Sequence, residues 1–284
     1  MSDMTDTLYI IGNGFDLHHG LKTAYSDFRD SFASKNNKLW NMLYDVYGDV
    51  INQDLWWSDF EGMLGQIDYL NLIGTRNGEA LGFMKVRNLL NGMLPPLFGK
   101  WIKDMNSFVP IDTSLCIDPN SLFFSFNYTL LLENSYQIKD DNIWHIHNSI
   151  RNADRIVVGH DSDERKLFAD YLKYKEGKES FRYDVAEQIR NEAAKGAKCV
   201  ANRVYRHKEA FLELYSNIKL YVAMGFSFNE IDIPYIKKII SVNENPSQAN
   251  WKIYFHNMGE DEEIIDKLLK LGVKRDSITD LVKW

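Results

Sequence analysis

Glycine and polar residues stand directly after short apolar runs in this chain, and their types are those of a ligand site. Residues 8–11 run into Gly12, Asn13, Gly14, Phe15 and Asp16, and residues 122–126 into Asn127, Tyr128 and Thr129. Residues 143–146 carry His145 and run into His147, Asn148 and Ser149. Residues 156–158 lead to Gly159, His160 and Asp161, and residues 220–224 to Gly225, Ser227, Asn229, Glu230 and Asp232. If the runs are strands of an open α/β sheet, these positions gather beyond its carboxyl edge, where such sheets bind ligands.

The chemistry follows from the residue types. Gly12 and Gly14 let the backbone turn tightly and approach a phosphate, while a helix beginning there offers unpaired N–H groups. They equally suit a plain strand-to-helix turn. The third glycine of the dinucleotide fingerprint is replaced by Leu17, which disfavours a standard dehydrogenase site. Asp16 either caps the helix or holds a ribose hydroxyl. Asn127 is an amide that a buried strand carries when something hydrogen-bonds it, or a turn-former at a strand exit. Strand alternation puts His145 and His147 on one face, as a metal site or as a base beside a ligand. With no acidic ligand adjacent in sequence the zinc set is incomplete, so a general base is preferred and no metal is expected. His160 and Asp161 read as loop residues touching the pocket. No G-x-S-x-G elbow or P-loop is present. In residues 56–64, WWSDFEGML, helical spacing puts Trp57, Phe60 and Leu64 on one face. Asp59 and Glu61 then form a solvated or pocket-lid face, not a glycosidase pair.

These positions require strands at 8–11, 122–126, 143–146, 156–158, 220–224 and 252–255. Continuous apolarity in four of them indicates burial on both faces, as in a parallel sheet covered by helices. Helical periodicity fills 26–47, 55–69, 79–108, 165–175, 180–217 and 258–271, with Pro95-Pro96 breaking or kinking the third. Residues 243–250 form a polar loop. The expected architecture is α/β, a mostly parallel sheet flanked by helices, in a single domain spanning 1–284. Its sheet core comes from about 1–30, 111–165 and 215–284, with large helical insertions at 31–110 and 166–214.

With 284 residues, 45% of them hydrophobic, the chain can bury a full core, and 16 Phe, 15 Tyr and 7 Trp suit packed interiors and ligand clefts. A formal charge of -7 argues against wrapping nucleic acid. The basic stretch 195–208 reads as a solvated helix face. The start has no basic segment leading into a long apolar one, and no window approaches 18 apolar residues, so a soluble cytoplasmic protein with no membrane partner is expected. Cys116 and Cys199, far apart, fit a reducing compartment and exclude a four-cysteine zinc site.

The segments NGFDLHHGLKTAYSDF, SFNYT, HIHNS, VGH and GFSFNEIDIPY, in this order, resemble the bacteriophage abortive-infection AbiH family over nearly the whole chain. That family in turn looks similar to sirtuin-like NAD-cleaving domains: GNGFD to their glycine loop, SDFR at 26–29 to their Asp-Phe-Arg, SFNYT to their Asn motif and HIHNS to their His-Gly. The resemblance implies a Rossmann-like, sirtuin-like sheet with NAD as substrate or ligand. Asn127 would orient the nicotinamide ribose or a water, and His147 would be the base. Gly12, Asn13, Gly14, Phe15, Asp16, His145 and Gly225 would hold the dinucleotide, with Ser227 and Asp232 closing the adenosine side. Two positions depart from the pattern: Asn148 replaces the glycine after the histidine, and Thr129 stands where sirtuins have Asp. The absent cysteine quartet removes the zinc module of protein deacylases.

The implied function is an antiphage effector that hydrolyses the nicotinamide glycosidic bond of NAD, as a homo-oligomer or under a phage-derived trigger. Asn148 and Thr129 favour an alternative, a non-catalytic sensor of NAD or ADP-ribose. A nuclease or RNA-targeting toxin using His145, His147 and nearby acids is a further alternative, which the acidic charge and the lack of a basic groove disfavour.

Overall fold

The computed structural model describes residues 5–67, 84–105, 112–159, 207–256 and 260–284. Its chain divides into two compact units: one of residues 1–23, 102–152 and 200–284, the other of 24–101 and 153–199.

The first unit holds a six-stranded sheet of β1 (Thr7–Ile11), β2 (Leu122–Ser125), β3 (Ile143–His145), β4 (Leu220–Met224), β5 (Asn250–Phe255) and β6 (Ile278–Lys283). Every pairing is parallel and the order is β3-β2-β1-β4-β5-β6. The progression runs outward from β1 to β3 on one side and from β4 to β6 on the other, so the strand order reverses between β1 and β4. At the centre Ile10 lies between Phe124 and Ala223.

Alternation sends successive side chains to opposite faces. Leu8, Ile10, Phe124 and Ala223 pack with Phe211 and Tyr215 of α3 (Lys208–Tyr215), Tyr235, Ile236 and Ile239 of α4 (Ile233–Val242), and Ile264 and Leu268 of α5 (Glu260–Lys270). Tyr9, Ile11, Phe123, Val222 and Met224 pack with Phe15 of α1 (Asn13–His18) and Leu131 and Leu132 of α2 (Leu131–Asn134). Burial on both faces is why the central strands read as continuous apolar runs.

Two strand expectations are corrected. Residues 156–158 are not a strand: Ile156 and Val158 are buried, but the segment has no regular secondary structure and no strand pairing. The sixth strand is instead β6, an edge strand whose largely exposed ITDLVK carries no apolar run.

The second unit's described part is helical. Residues 26–47 are not one helix but Tyr25–Phe28 continued by a π-helical turn Arg29–Ala33, then Asn37–Tyr47. The tryptophan-rich stretch splits into Asp54–Ser58 and Phe60–Leu64 at Asp59, whose φ of -121° and ψ of 46° leave the helical region. Trp57, Phe60 and Leu64 are all buried as expected, but so is Glu61, which does not lie on a solvated face. Pro95 and Pro96 do not end their helix. Helical backbone runs through a π-helical segment, Arg87–Met93, into the α-helix Leu94–Lys103, and both prolines follow directly on that π-helical segment, whose wider i→i−5 spacing relieves the ring's crowding of the preceding turn. His160, Asp161, Cys199, the helix expected at 165–175 and most of the one at 180–217, with its basic stretch, lie outside the described residues.

Candidate functional site

At the carboxyl end of β1 the chain turns into α1 and is pinned to the loop leaving β4. Gly12 N–H donates to Met224 O at 3.1 Å and Gly14 N–H to Gly225 O at 2.9 Å. A Cβ on Gly12 would stand 2.5 Å from Gly225 O, and one on Gly14 2.7 Å from Gly225 Cα. Gly225 has a φ of +59°, and a Cβ there would overlap the Gly14–Phe15 backbone. Backbone packing between the two loops therefore accounts for all three glycines, and the Gly12 and Gly14 N–H groups are spent within the fold. Asn13 closes the turn by exchanging hydrogen bonds with Thr23, and Phe15 is fully buried beneath His19 and Tyr136.

Asp16 follows in α1, and only 1% of it is exposed. Its Oδ1 accepts Nδ2–H of Asn127 at 2.9 Å and its Oδ2 accepts the Thr129 hydroxyl at 2.8 Å. Burial pushes the Asp16 carboxyl up to about 7, against the pull of the two hydrogen bonds. An ionised carboxylate only accepts, so it fixes which end of the Asn127 amide faces it. Nδ2 points to Asp16 and Oδ1 points away. That oxygen is buried without a partner among the described residues.

Asn127 is held at its backbone as well. Its N–H donates to Ser125 Oγ at 3.2 Å, and its carbonyl lies 2.9 Å from His145 Nδ1. A carbonyl can only accept, so Nδ1 carries a proton. Nε2 of the same ring stands 3.1 Å from Glu133 Oε1, on α2, which Arg151 Nη2 approaches at 3.7 Å. Glu133 has no strand-end position. Only the short turn from β2 into α2 brings it back over the sheet edge, and no motif marks it.

His147 occupies different surroundings. β3 ends at His145 and residues 146–147 turn, so strand alternation does not reach His147, and the shared face expected for the two histidines does not form. His147 is 1% exposed, and its ring lies among those of Phe126, Tyr235 and Tyr128, with centroids 5.8, 5.7 and 6.4 Å away. Its Nε2 stands 3.6 Å from Oδ1 of Asp232, the residue that precedes α4. The segment 126–128 joins the two groups: Asn127 belongs with Asp16, whereas Phe126 and Tyr128 face His147. Asn148 adopts a φ of 62°, the left-handed conformation that Asn enters more readily than most side chains. Ser227 joins neither group; it is exposed, and its carbonyl accepts from Lys267 Nζ.

The arrangement offers an oriented amide oxygen, a histidine backed by a carboxylate, and a buried carboxyl that titrates near neutrality. No cluster of three or more His, Cys, Asp or Glu able to hold a metal occurs among the described residues. No described helix is long and apolar enough to cross a membrane. A family model described as "Bacteriophage abortive infection AbiH" matches residues 8–88 and 83–255, which include every residue of both groups. No curated protein and no solved structure matches the chain.

Proposed function

Since this chain belongs to the bacteriophage abortive infection AbiH family, we propose that it acts in phage defence by cleaving the nicotinamide glycosidic bond of NAD at the carboxyl edge of its sheet. The order 3-2-1-4-5-6 is that of doubly wound nucleotide-binding sheets, with the site beside the strand-order reversal. One observation carries the reading: Asp16 turns the Asn127 amide so that its buried Oδ1 is the end left to accept a hydrogen bond. A ribose hydroxyl or an attacking water has the O–H to donate there.

In the proposed reaction the C1′–N bond breaks with its electron pair leaving on nicotinamide. Water adds to the oxocarbenium-like C1′, and one water proton passes to His147, giving ADP-ribose. Asp232 would stabilise the imidazolium as carboxylates do beside catalytic histidines. The pinned glycines would serve as a rigid wall, not as phosphate donors. Enclosure of His147 by Phe126, Tyr128 and Tyr235 favours a second reading, a site that binds the nucleotide without turning it over. Phage challenge of cells carrying the gene, with NAD measured through infection, tests the first. Survival of the culture with NAD depleted, both lost in Asn127→Ala, supports it; protection with NAD unchanged removes it.

A further inference from the structure

The buried carboxylate of Glu133 has no part in the reaction just described, yet it is joined to it. Its side chain is 7% exposed. Oε1 meets His145 Nε2 at 3.1 Å, while Oε2 is buried without a partner among the described residues. A half-satisfied buried carboxylate is a poor device for stability alone, since desolvation offsets what its ion pairs return. Besides the longer 3.7 Å approach of Arg151 Nη2, its contact with His145 sets the rotation of that ring, and the ring donates from Nδ1 to the carbonyl of Asn127 at 2.9 Å. Asn127 is thus gripped from both sides, its amide by Asp16 and its carbonyl by His145.

We propose that Glu133 and His145 are positioning residues for Asn127: the carboxylate accepts from Nε2–H and so orients the ring, and the ring, donating also from Nδ1, holds the Asn127 backbone at the distance its amide oxygen needs to reach the ribose. His145 then contacts Asn127 and not the dinucleotide, which sets aside the ligand-binding role that the sequence resemblance implies for it. The inference rests on the NAD reading of the site and adds to it a route from α2 to the reacting sugar.

Atom-specific replacements of His145 test it. In His145→Asn the side-chain amide nitrogen takes the place of Nδ1 and keeps the donor to Asn127. In His145→Gln the amide lies nearer the Nε2 position and that donor is lost. Steady-state nicotinamide release from NAD is followed for both, for Glu133→Gln, and for the Glu133→Gln/His145→Asn double variant, with thermal melts alongside. The expected kcat falls at most about 5-fold in His145→Asn and about 50-fold in His145→Gln, with KM within about 3-fold throughout. Glu133→Gln lowers kcat about 10-fold alone and at most about 2-fold on top of His145→Asn, because the imidazole it orients is gone. Equal losses in the two His145 variants, or an equal Glu133→Gln effect in both backgrounds, overturn the positioning role while leaving the NAD reading intact. If the wild type binds ADP-ribose without releasing nicotinamide, the ADP-ribose Kd replaces kcat with the same expected order. A wild type that neither releases nicotinamide nor binds ADP-ribose overturns the NAD reading and the positioning role with it. A variant too unstable to assay is replaced by Glu133→Asp, which keeps the carboxylate and is expected to lie between wild type and Glu133→Gln; a rate equal to that of Glu133→Gln counts against the relay.

Discussion

The carboxylate of Asp16 accepts the side-chain N–H of Asn127 at 2.9 Å, although 111 positions separate the two in sequence. The bond joins α1, the helix that follows β1, to the exit of β2. It couples the titration of one buried group to the orientation of another, so pH is the first lever on this site.

Stability should respond in the direction opposite to that of most carboxylates. Burial raises the Asp16 carboxyl from 3.8 to about 7. Between about pH 4 and 7 the folded chain keeps a proton that the unfolded chain has lost. Stability from this group is therefore present in acid, falls as pH rises through that window, and stays lower above it. The difference is on the order of 4 kcal/mol for a fully buried group. Asp16→Asn should raise the urea midpoint at pH 8 more than at pH 5 and flatten the slope between them. An unchanged slope would mean that Asp16 is not the group responsible.

Function should run the other way. Once protonated, Asp16 can donate as well as accept, and the Asn127 amide is no longer held with Oδ1 outward. Affinity for ADP-ribose and the rate of nicotinamide release should therefore rise through about pH 7. Thr129→Val removes one of the two donors that favour the charged carboxylate, so its midpoint should move upward. Titration calorimetry across pH 5.5 to 8.5 measures both effects. Identical midpoints in wild type and Thr129→Val would contradict the coupling.

The glycines separate by cause. Gly225 combines a positive φ with backbone on the side a Cβ would occupy, so Gly225→Ala should lower stability by about 3 kcal/mol or more and leave little soluble protein. Gly20 has a φ of +77° but open space around it, and Gly20→Ala should lose only about 1 kcal/mol, from conformation alone. Thermal melts of the two variants compare them directly, and a Gly225→Ala protein that melts with the wild type would refute the loop crossing.

Asn148 tests whether the departure from glycine after the histidine matters to the backbone. At a φ of 62°, Asn148→Gly should be nearly neutral for folding, while Asn148→Val should lose about 2 kcal/mol, because a β-branched side chain resists that conformation. Melting temperatures of the pair suffice. Equal destabilisation by Gly and Val would show that the Asn148 side chain, not its backbone, is what the fold needs.

Much of this was legible in the sequence, for reasons that also explain what was not. β1, β2 and β4 are buried on both faces and therefore read as unbroken apolar runs, which made the parallel sheet and its carboxyl edge visible. β6 is not visible because an edge strand with exposed residues has no such run, and 156–158 reads as a strand because a buried apolar segment has the same composition whether or not it pairs. Asp16, Asn127, Thr129, His145 and His147 all stand at strand ends, which is what makes them candidates from sequence alone. Strand ends do not mark Glu133, whose place depends on the turn into α2, nor pair His147 with Asp232 across 85 positions of chain. They also present Gly12 and Gly14 as room for a phosphate, when the space beside them is taken by the backbone of residues 225 and 226. Which atoms fill a gap is a property of tertiary packing that a glycine in a sequence does not disclose.

Release of nicotinamide by purified protein measures most directly whether Asn127 and His147 cleave NAD as proposed. Wild type, Asn127→Ala and His147→Ala would each be incubated with NAD, with and without phage lysate, and the products separated chromatographically. Nicotinamide and ADP-ribose in equal amounts are expected from the wild type under at least one condition. Both variants should be slowed by about 100-fold or more, on the scale of losing an acid–base or positioning group. NAD bound tightly and recovered intact from the wild type with lysate present would contradict the proposed cleavage and leave a nucleotide sensor in its place.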